Sequence, residues 1–118
     1  MKFLSMYKTP EREAPPTQKE MEEMGKLMEE WFKSGRLLAA EGCMPTRFGA
    51  RVRQTKGQFA VTDGPFTEAK EVVGGLAILQ ANSREEAIEH VKEFMKVAGD
   101  GECELRQLYE MPADTHTK

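Results

Sequence analysis

Residues 61–66 read Val-Thr-Asp-Gly-Pro-Phe, and residues 67–75 continue as Thr-Glu-Ala-Lys-Glu-Val-Val-Gly-Gly. This stretch joins a β-rich run to an apolar one through an Asp-Gly-Pro turn. Asp-Gly tolerates positive backbone φ angles, while Pro65 fixes its own φ and pushes Gly64 towards an extended conformation. The stretch therefore predicts a rigid corner that carries the carboxylate of Asp63 at its tip.

The chain before this corner predicts a strand, a helix and a hairpin. Residues 2–7 alternate as a strand, and residues 9–16 hold three prolines and form a loop. Thr17 and Glu20 have capping-box spacing, and Gly35 is a natural end for a helix over residues 17–34. The apolar stripe of this helix is rich in methionine, and we expect it to be core. Residues 36–45 are expected to be a crossing segment, followed by a hairpin with strands at 50–55 and 58–62.

The chain after the corner predicts a strand, a second helix and a last strand. Residues 72–81 are apolar almost throughout, as in a central strand covered on both faces. Ser83 begins a helix that ends at Gly99, and residues 103–109 alternate again. The order predicts an α+β fold, a ferredoxin-like βαββαβ sandwich with an inserted β-hairpin and both helices on one face of an antiparallel sheet.

The face of the sheet that carries no helix needs a cover of its own. We place Phe3 and Tyr7 on that face, together with part of the apolar strand 72–81. A homodimer that packs sheet to sheet supplies the cover without further sequence, and twofold dimers are the commonest oligomers. We therefore expect a homodimer.

Composition narrows the class of protein. The chain has 118 residues and a net charge of −3, which fits one domain over 1–110 with a polar tail at 111–118. No basic face stands out, so direct nucleic-acid binding is not expected. No apolar run is long enough to span a bilayer and the start does not read as a signal peptide, so we expect a cytoplasmic protein. Cofactors and metals are not expected either, because phosphate loops and metal-ligand spacings are missing.

Several residues near the corner are candidates for a site. Asp63 is a general acid/base if the corner overhangs a cleft, or only the acceptor of an Asx-turn. Arg51 and Arg53 share one strand face, about 7 Å apart, where they can clamp an anion or simply pair with nearby acids. The remaining candidates for ligand binding are Phe66, Lys70, Glu41 and Tyr7, although Lys70 is more simply explained as surface charge and Tyr7 as interface packing. His90 is expected to be partly exposed.

The chain resembles the YCII-related family, in the branch named for the Asp-Gly-Pro-Phe tetrapeptide. The tetrapeptide at 63–66 would be a weak signal by itself, but the match covers most of the chain in order. Its further parts are Lys2-Phe3-Leu4, residues 35–38, Glu41-Gly42, Pro45, residues 49–53, residues 61–71, Gly74-Gly75, Glu85-Glu86-Ala87 and Glu104-Leu105-Arg106.

The resemblance implies a dimeric α+β barrel, in which a ferredoxin-like protomer packs its sheet on its partner's. It implies no established activity. Shorter relatives have a proposed catalytic pair of a histidine on the first helix and an aspartate, but residues 17–34 contain no histidine here. Relatives of this branch also accompany alternative sigma factors, which implies a regulatory setting. The resulting hypotheses are a dimeric ligand-binding or accessory protein with a polar cleft at the corner, an enzyme that uses Asp63, and a regulatory interaction protein.

Overall fold

A computed structural model describes residues 1–110, so the predicted polar tail at 111–118 lies outside the described residues. The elements are β1 (Lys2–Thr9), α1 (Gln18–Ser34), β2 (Leu37–Gly42), β3 (Ala50–Thr55), β4 (Gln58–Asp63), β5 (Val72–Gln80), α2 (Arg84–Ala98) and β6 (Glu102–Gln107). A short 3-10 turn at Thr46–Phe48 lies between β2 and β3.

Both helices begin at the capping residues that the sequence predicts. The Thr17 hydroxyl accepts the Glu20 N–H at 3.1 Å, and the Glu20 carboxylate accepts the Thr17 N–H at 2.8 Å. This is a complete capping box, which satisfies two otherwise orphaned donors of α1. Gly35 ends α1 with φ at 80°. The hydroxyl of Ser83 accepts the Glu86 N–H at the start of α2.

Four strands form one antiparallel sheet in the order β2-β5-β1-β6. Strands β3 and β4 pair with each other in a separate two-stranded sheet. The molecule is therefore an α+β protein with an antiparallel sheet and two helices, consistent with the ferredoxin-like fold. Within residues 1–110, no helix combines the length and apolarity that a membrane crossing requires.

The interpretation of residues 36–45 as a crossing segment is wrong in its first half. Leu37–Gly42 is the edge strand β2, paired with β5 through Glu41 opposite Leu76. The segment contains Ala39 and Ala40 and has no alternating β-branched residues, so its local sequence does not predict a strand. The edge of β5 supplies the pairing that fixes its conformation.

The prediction that Phe3 and Tyr7 lie on the helix-free face of the sheet is also wrong. Phe3 is 1% exposed and belongs to the core under the helices, with Trp31, Leu37 and Leu79. Tyr7 lies on the same face of β1, with its ring edge-on to Phe94 of α2. Alternation defines two faces of a strand but does not say which one the helices cover. Both faces of β1 are apolar here, so the packing of the helices decides which face becomes part of the core.

The side of the sheet opposite the helices is open in the single chain. Leu4 and Met6 alternate with the buried Phe3 and Ser5 and therefore point to this side. Their partners across the ladder are Ile78 and Leu76 of β5. The face is apolar at its centre, and we call it the open sheet face.

Candidate functional site

A cavity with a volume of about 1100 Å³ lies between α1 and the sheet. We call it the α1 cavity. Ser5, Ala77 and Leu79 of the sheet line one side of it, and the α1 residues Met24 and Met28 line the other. Side chains of α2, among them Phe94, close the far end. Residues of β2, among them Ala40 and Glu41, also line the cavity, which is thus built from five helices and strands of the chain.

The cavity exists because the methionine stripe of α1 faces the sheet without filling the space beneath it. Trp31, near the end of the helix, is buried in the core, but Met21 near its start is 53% exposed. Gly25 sits within the stripe, and a Cβ built on it meets no atom within 4 Å. The stripe was expected to be core. Only its carboxyl-terminal end packs as core, and its amino-terminal end lines the cavity.

Ion pairs form the rim of the cavity. The Arg12 guanidinium donates to both oxygens of Glu20 at 2.8 and 3.0 Å. This pair, together with the capping N–H of Thr17, lowers the pKa of the Glu20 carboxyl to about 2. Arg47 donates to Glu13 at 3.1 Å. Both arginines of the cavity lining therefore already have carboxylate partners.

Tyr7 forms part of the cavity wall and joins β1 to the end of α2. Its hydroxyl lies 2.9–3.3 Å from the carbonyl oxygens of Ala98, Gly99 and Asp100, to which it can donate. Burial, followed by the nearby Cys103 and Asp100, raises the pKa of the Tyr7 hydroxyl. The protonated Tyr7 hydroxyl, hydrogen-bonded to these main-chain carbonyls, therefore fixes this part of the cavity wall against the end of α2.

The Asp-Gly-Pro-Phe corner is held by a chain of hydrogen bonds that we call the corner latch. The Phe66 N–H donates to the Thr46 hydroxyl at 3.0 Å, and Thr46 donates its own N–H and hydroxyl to the Glu11 carboxylate, each at 2.6 Å. These two bonds lower the pKa of Glu11. The Gly64 N–H donates to the carbonyl of Gly49 at 2.9 Å. The corner thus connects the β4–β5 link to the 3-10 turn and to the loop before α1.

Gly64 is required by close packing at this corner. A Cβ built on Gly64 would lie 1.6 Å from the carbonyl oxygen of Thr46, which belongs to the backbone and cannot move aside cheaply. The peptide bond from Gly64 to Pro65 is cis. The glycine of the motif is therefore explained by a contact between two backbone segments.

A smaller cavity of about 590 Å³ lies beside the corner, and we call it the corner cavity. Arg51 and Phe66 line it, with Thr46 and Phe48 of the 3-10 turn. The Arg51 guanidinium stacks on the Phe66 ring at 3.9 Å from its centroid and forms an ion pair with Glu68. Two of the predicted ligand-binding residues are therefore in contact.

The seven predicted site residues do not line a common cleft. Arg51 and Phe66 line the corner cavity, and Tyr7 and Glu41 line the α1 cavity. The other three are exposed and line neither cavity; they are Asp63, Arg53 and Lys70. Their roles stay predictions.

Sequence reasoning missed the residues that build the α1 cavity. Ser5, Ala77 and Met24 come from distant parts of the chain, and only a glycine inside a methionine stripe hinted at unfilled space. The expected exposure of His90 is also wrong, because it is buried between Trp31 and Glu86. Among residues 1–110, no group of three or more His, Cys, Asp or Glu is arranged to hold a metal ion.

Comparison with known proteins identifies a family but does not indicate an activity. The family model described as the YCII-related domain matches residues 1–112. A curated protein of Rhizobium meliloti (strain 1021), described as uncharacterized, is 27% identical over 89 residues. That alignment covers 75% of this chain and 72% of the relative.

Proposed function

The chain belongs to the YCII-related domain family, and on that premise we propose that it binds a small organic molecule in the α1 cavity. The supporting observation is the cavity itself. Its volume of about 1100 Å³ slightly exceeds the roughly 300–1,000 Å³ of typical ligand pockets, and a mainly apolar lining with a few polar groups is usual for such sites. Because the cavity lies between a helix and the sheet, the flexible methionine side chains of α1 can also adjust its shape to a ligand.

Thermal unfolding in the presence of a panel of small apolar and amphiphilic molecules tests this proposal. A ligand that binds only the folded chain raises the melting temperature, and the increase grows with the ratio of free ligand concentration to Kd. Ala40→Leu adds bulk to the cavity lining and should abolish the shift. Ala60→Leu, on the exposed face of β4, should leave it intact. Equal shifts in the two variants would place binding elsewhere.

A second site, for a small anion, is supported by the Arg51–Phe66 stack in the corner cavity. A guanidinium held against an aromatic ring is oriented for two-point binding of a carboxylate or phosphate. Such an anion would replace Glu68 as the partner of Arg51, and Arg53, two residues along the same face of β3, would add positive charge. Arg51 and Phe66 are the two residues of the expected corner cleft that line this cavity. Phosphate should stabilise the wild type and not Arg51→Leu, and equal stabilisation of both would exclude the site.

The enzymatic alternative gives Asp63 the role of general acid/base. It has less support, because Asp63 is exposed at the end of β4 and lines neither cavity. Any turnover that is found should be lost in Asp63→Asn and kept in Asp63→Glu if the carboxylate acts on substrate. Full activity in Asp63→Asn would show that Asp63 has no catalytic role and serves only to form the turn.

We also propose that two copies of the chain form a homodimer. Two uncovered apolar surfaces support it. One is the open sheet face, and the other is the face of the β3–β4 hairpin that carries Val52, Phe59 and Val61, which are 65–70% exposed. Isolated two-stranded hairpins are at best marginally stable, so this one needs a partner surface.

The dimensions of the chain also support a second copy. Its radius of gyration is 16.3 Å, against about 13 Å for a compact domain of this length. Only seven apolar side chains are buried in the core of the described residues, a small number for the size of the chain. A second copy would cover apolar surface that the chain cannot cover by itself. If the chain proves to be a monomer, those surfaces are free for another protein, as the regulatory hypothesis with a sigma factor requires.

A further inference from the structure

We propose that the α1 cavity selects an amphiphile with an apolar body and a neutral or positively charged end, and that it discriminates against anions. The inference rests on the proposed function, because it names the ligand class of the same cavity. It also differs from the small anion that Arg51 and Arg53 were expected to clamp at the corner.

The apolar part of the ligand is indicated by the inner lining. Met24 and Met28 meet Leu79 and Phe94 across the cavity. Methionine is unbranched and polarisable, so it can pack around an aliphatic chain of variable shape. Trp31 lies at the inner end and provides an aromatic wall, as well as the chain's one tryptophan for measurement.

The charge of the ligand is indicated by the residues that line the rim. Five acidic residues line the cavity against two arginines, which leaves a formal charge of −3, and no lining residue is a lysine. The acidic residues are Glu11, Glu13, Glu20, Glu41 and Asp100. A cavity lined in this way has a negative potential that attracts cations and repels anions.

The two arginines are not available to compensate a bound anion. Arg12 is held by Glu20 through two hydrogen bonds, and Arg47 is held by Glu13. Glu41 and Asp100, in contrast, form no ion pair within residues 1–110. An anionic end at the rim would therefore face carboxylates with no free arginine to pair with, which is unfavourable, whereas an ammonium group would meet unpaired carboxylates.

Fluorescence of Trp31 measures this discrimination with three probes that share one chain length: octylammonium, octanol and octanoate. We expect saturable binding of octylammonium and octanol, with octanoate weaker by roughly tenfold at low ionic strength. Added salt should reduce the difference between the charged probes, since the rim is exposed to solvent and screened.

Matched variants separate the rim from the overall charge of the protein. Glu41→Gln combined with Asp100→Asn should reduce the ratio of octylammonium to octanoate affinity severalfold. Glu30→Gln combined with Glu102→Gln removes the same charge from residues that do not line the cavity, and should leave the ratio nearly unchanged.

Three outcomes decide between the two claims. Octanoate binding as tightly as octylammonium, with octanol also bound, would overturn this inference and leave the proposed function standing. An equal loss of preference in both pairs of variants would overturn it too. Failure of all three probes to change Trp31 emission would overturn the proposed function and this inference with it.

Discussion

At the scale of single residues, Gly64 explains why the corner motif contains a glycine. Its missing side chain lets the β4–β5 link lie directly on the carbonyl of Thr46. The sequence predicted a rigid corner from Asp-Gly-Pro, but the surface on which the corner rests is distant in the chain and was not predictable.

Gly64→Ala should therefore destabilise the protein, by about 1–3 kcal/mol as for overpacking in other tight sites. Denaturant unfolding measures the change. Gly42→Ala is the matched control, because a Cβ on Gly42 meets no atom within 4 Å. A Gly64→Ala variant as stable as this control would contradict the described corner.

The corner latch gives a prediction for acidic pH. Because the Thr46 hydrogen bonds lower the pKa of Glu11 from its ordinary value of 4.5, the carboxylate stabilises the folded state. A carboxyl whose pKa is lower in the folded state contributes fully above its unfolded pKa, and the contribution is lost as pH falls through the folded pKa. The stability difference between wild type and Glu11→Gln should be constant near neutral pH and shrink below about pH 4.5. A difference that does not change with pH would exclude the ionised carboxylate as its cause.

At the scale of elements, α1 was predictable and β2 was not. The capping box and the methionine period fix the bounds of α1 from local sequence alone. Leu37–Gly42 is a strand only because β5 offers its edge, which is information from elsewhere in the chain. The site residues also divide into those fixed by local sequence and those brought together from distant parts of the chain. The contact of Arg51 with Phe66 forms within one hairpin and its corner, whereas five helices and strands build the α1 cavity.

The helix α1 offers a direct test of the space beneath it. Gly25→Ala removes the conformational cost of a glycine within a helix, which is about 0.5–1 kcal/mol, and its methyl group meets no neighbour within 4 Å. The variant should be more stable than wild type by about that amount in denaturant unfolding. Destabilisation would mean that α1 packs on the sheet more closely than described.

At the scale of the whole molecule, the extended shape and the uncovered faces predict a dimer. Light scattering should give twice the chain mass, and the melting temperature should rise with protein concentration. Val61→Lys on the apolar hairpin face should weaken the dimer, while Thr62→Lys on the opposite face of β4 should not. A monomeric wild type with a concentration-independent melting temperature would contradict the dimer.

The central claim is that the α1 cavity binds a small organic molecule, and isotope-labelled methionine methyl groups test it most directly. The chain contains eight methionines, of which Met21, Met24, Met28 and Met44 line the cavity, whereas Met6 lies on the open sheet face. Titration with octanol should shift the methyl resonances of Met24 and Met28 in a saturable manner and leave that of Met6 in place. A shift of Met6 with no change at Met24 and Met28 would contradict the account.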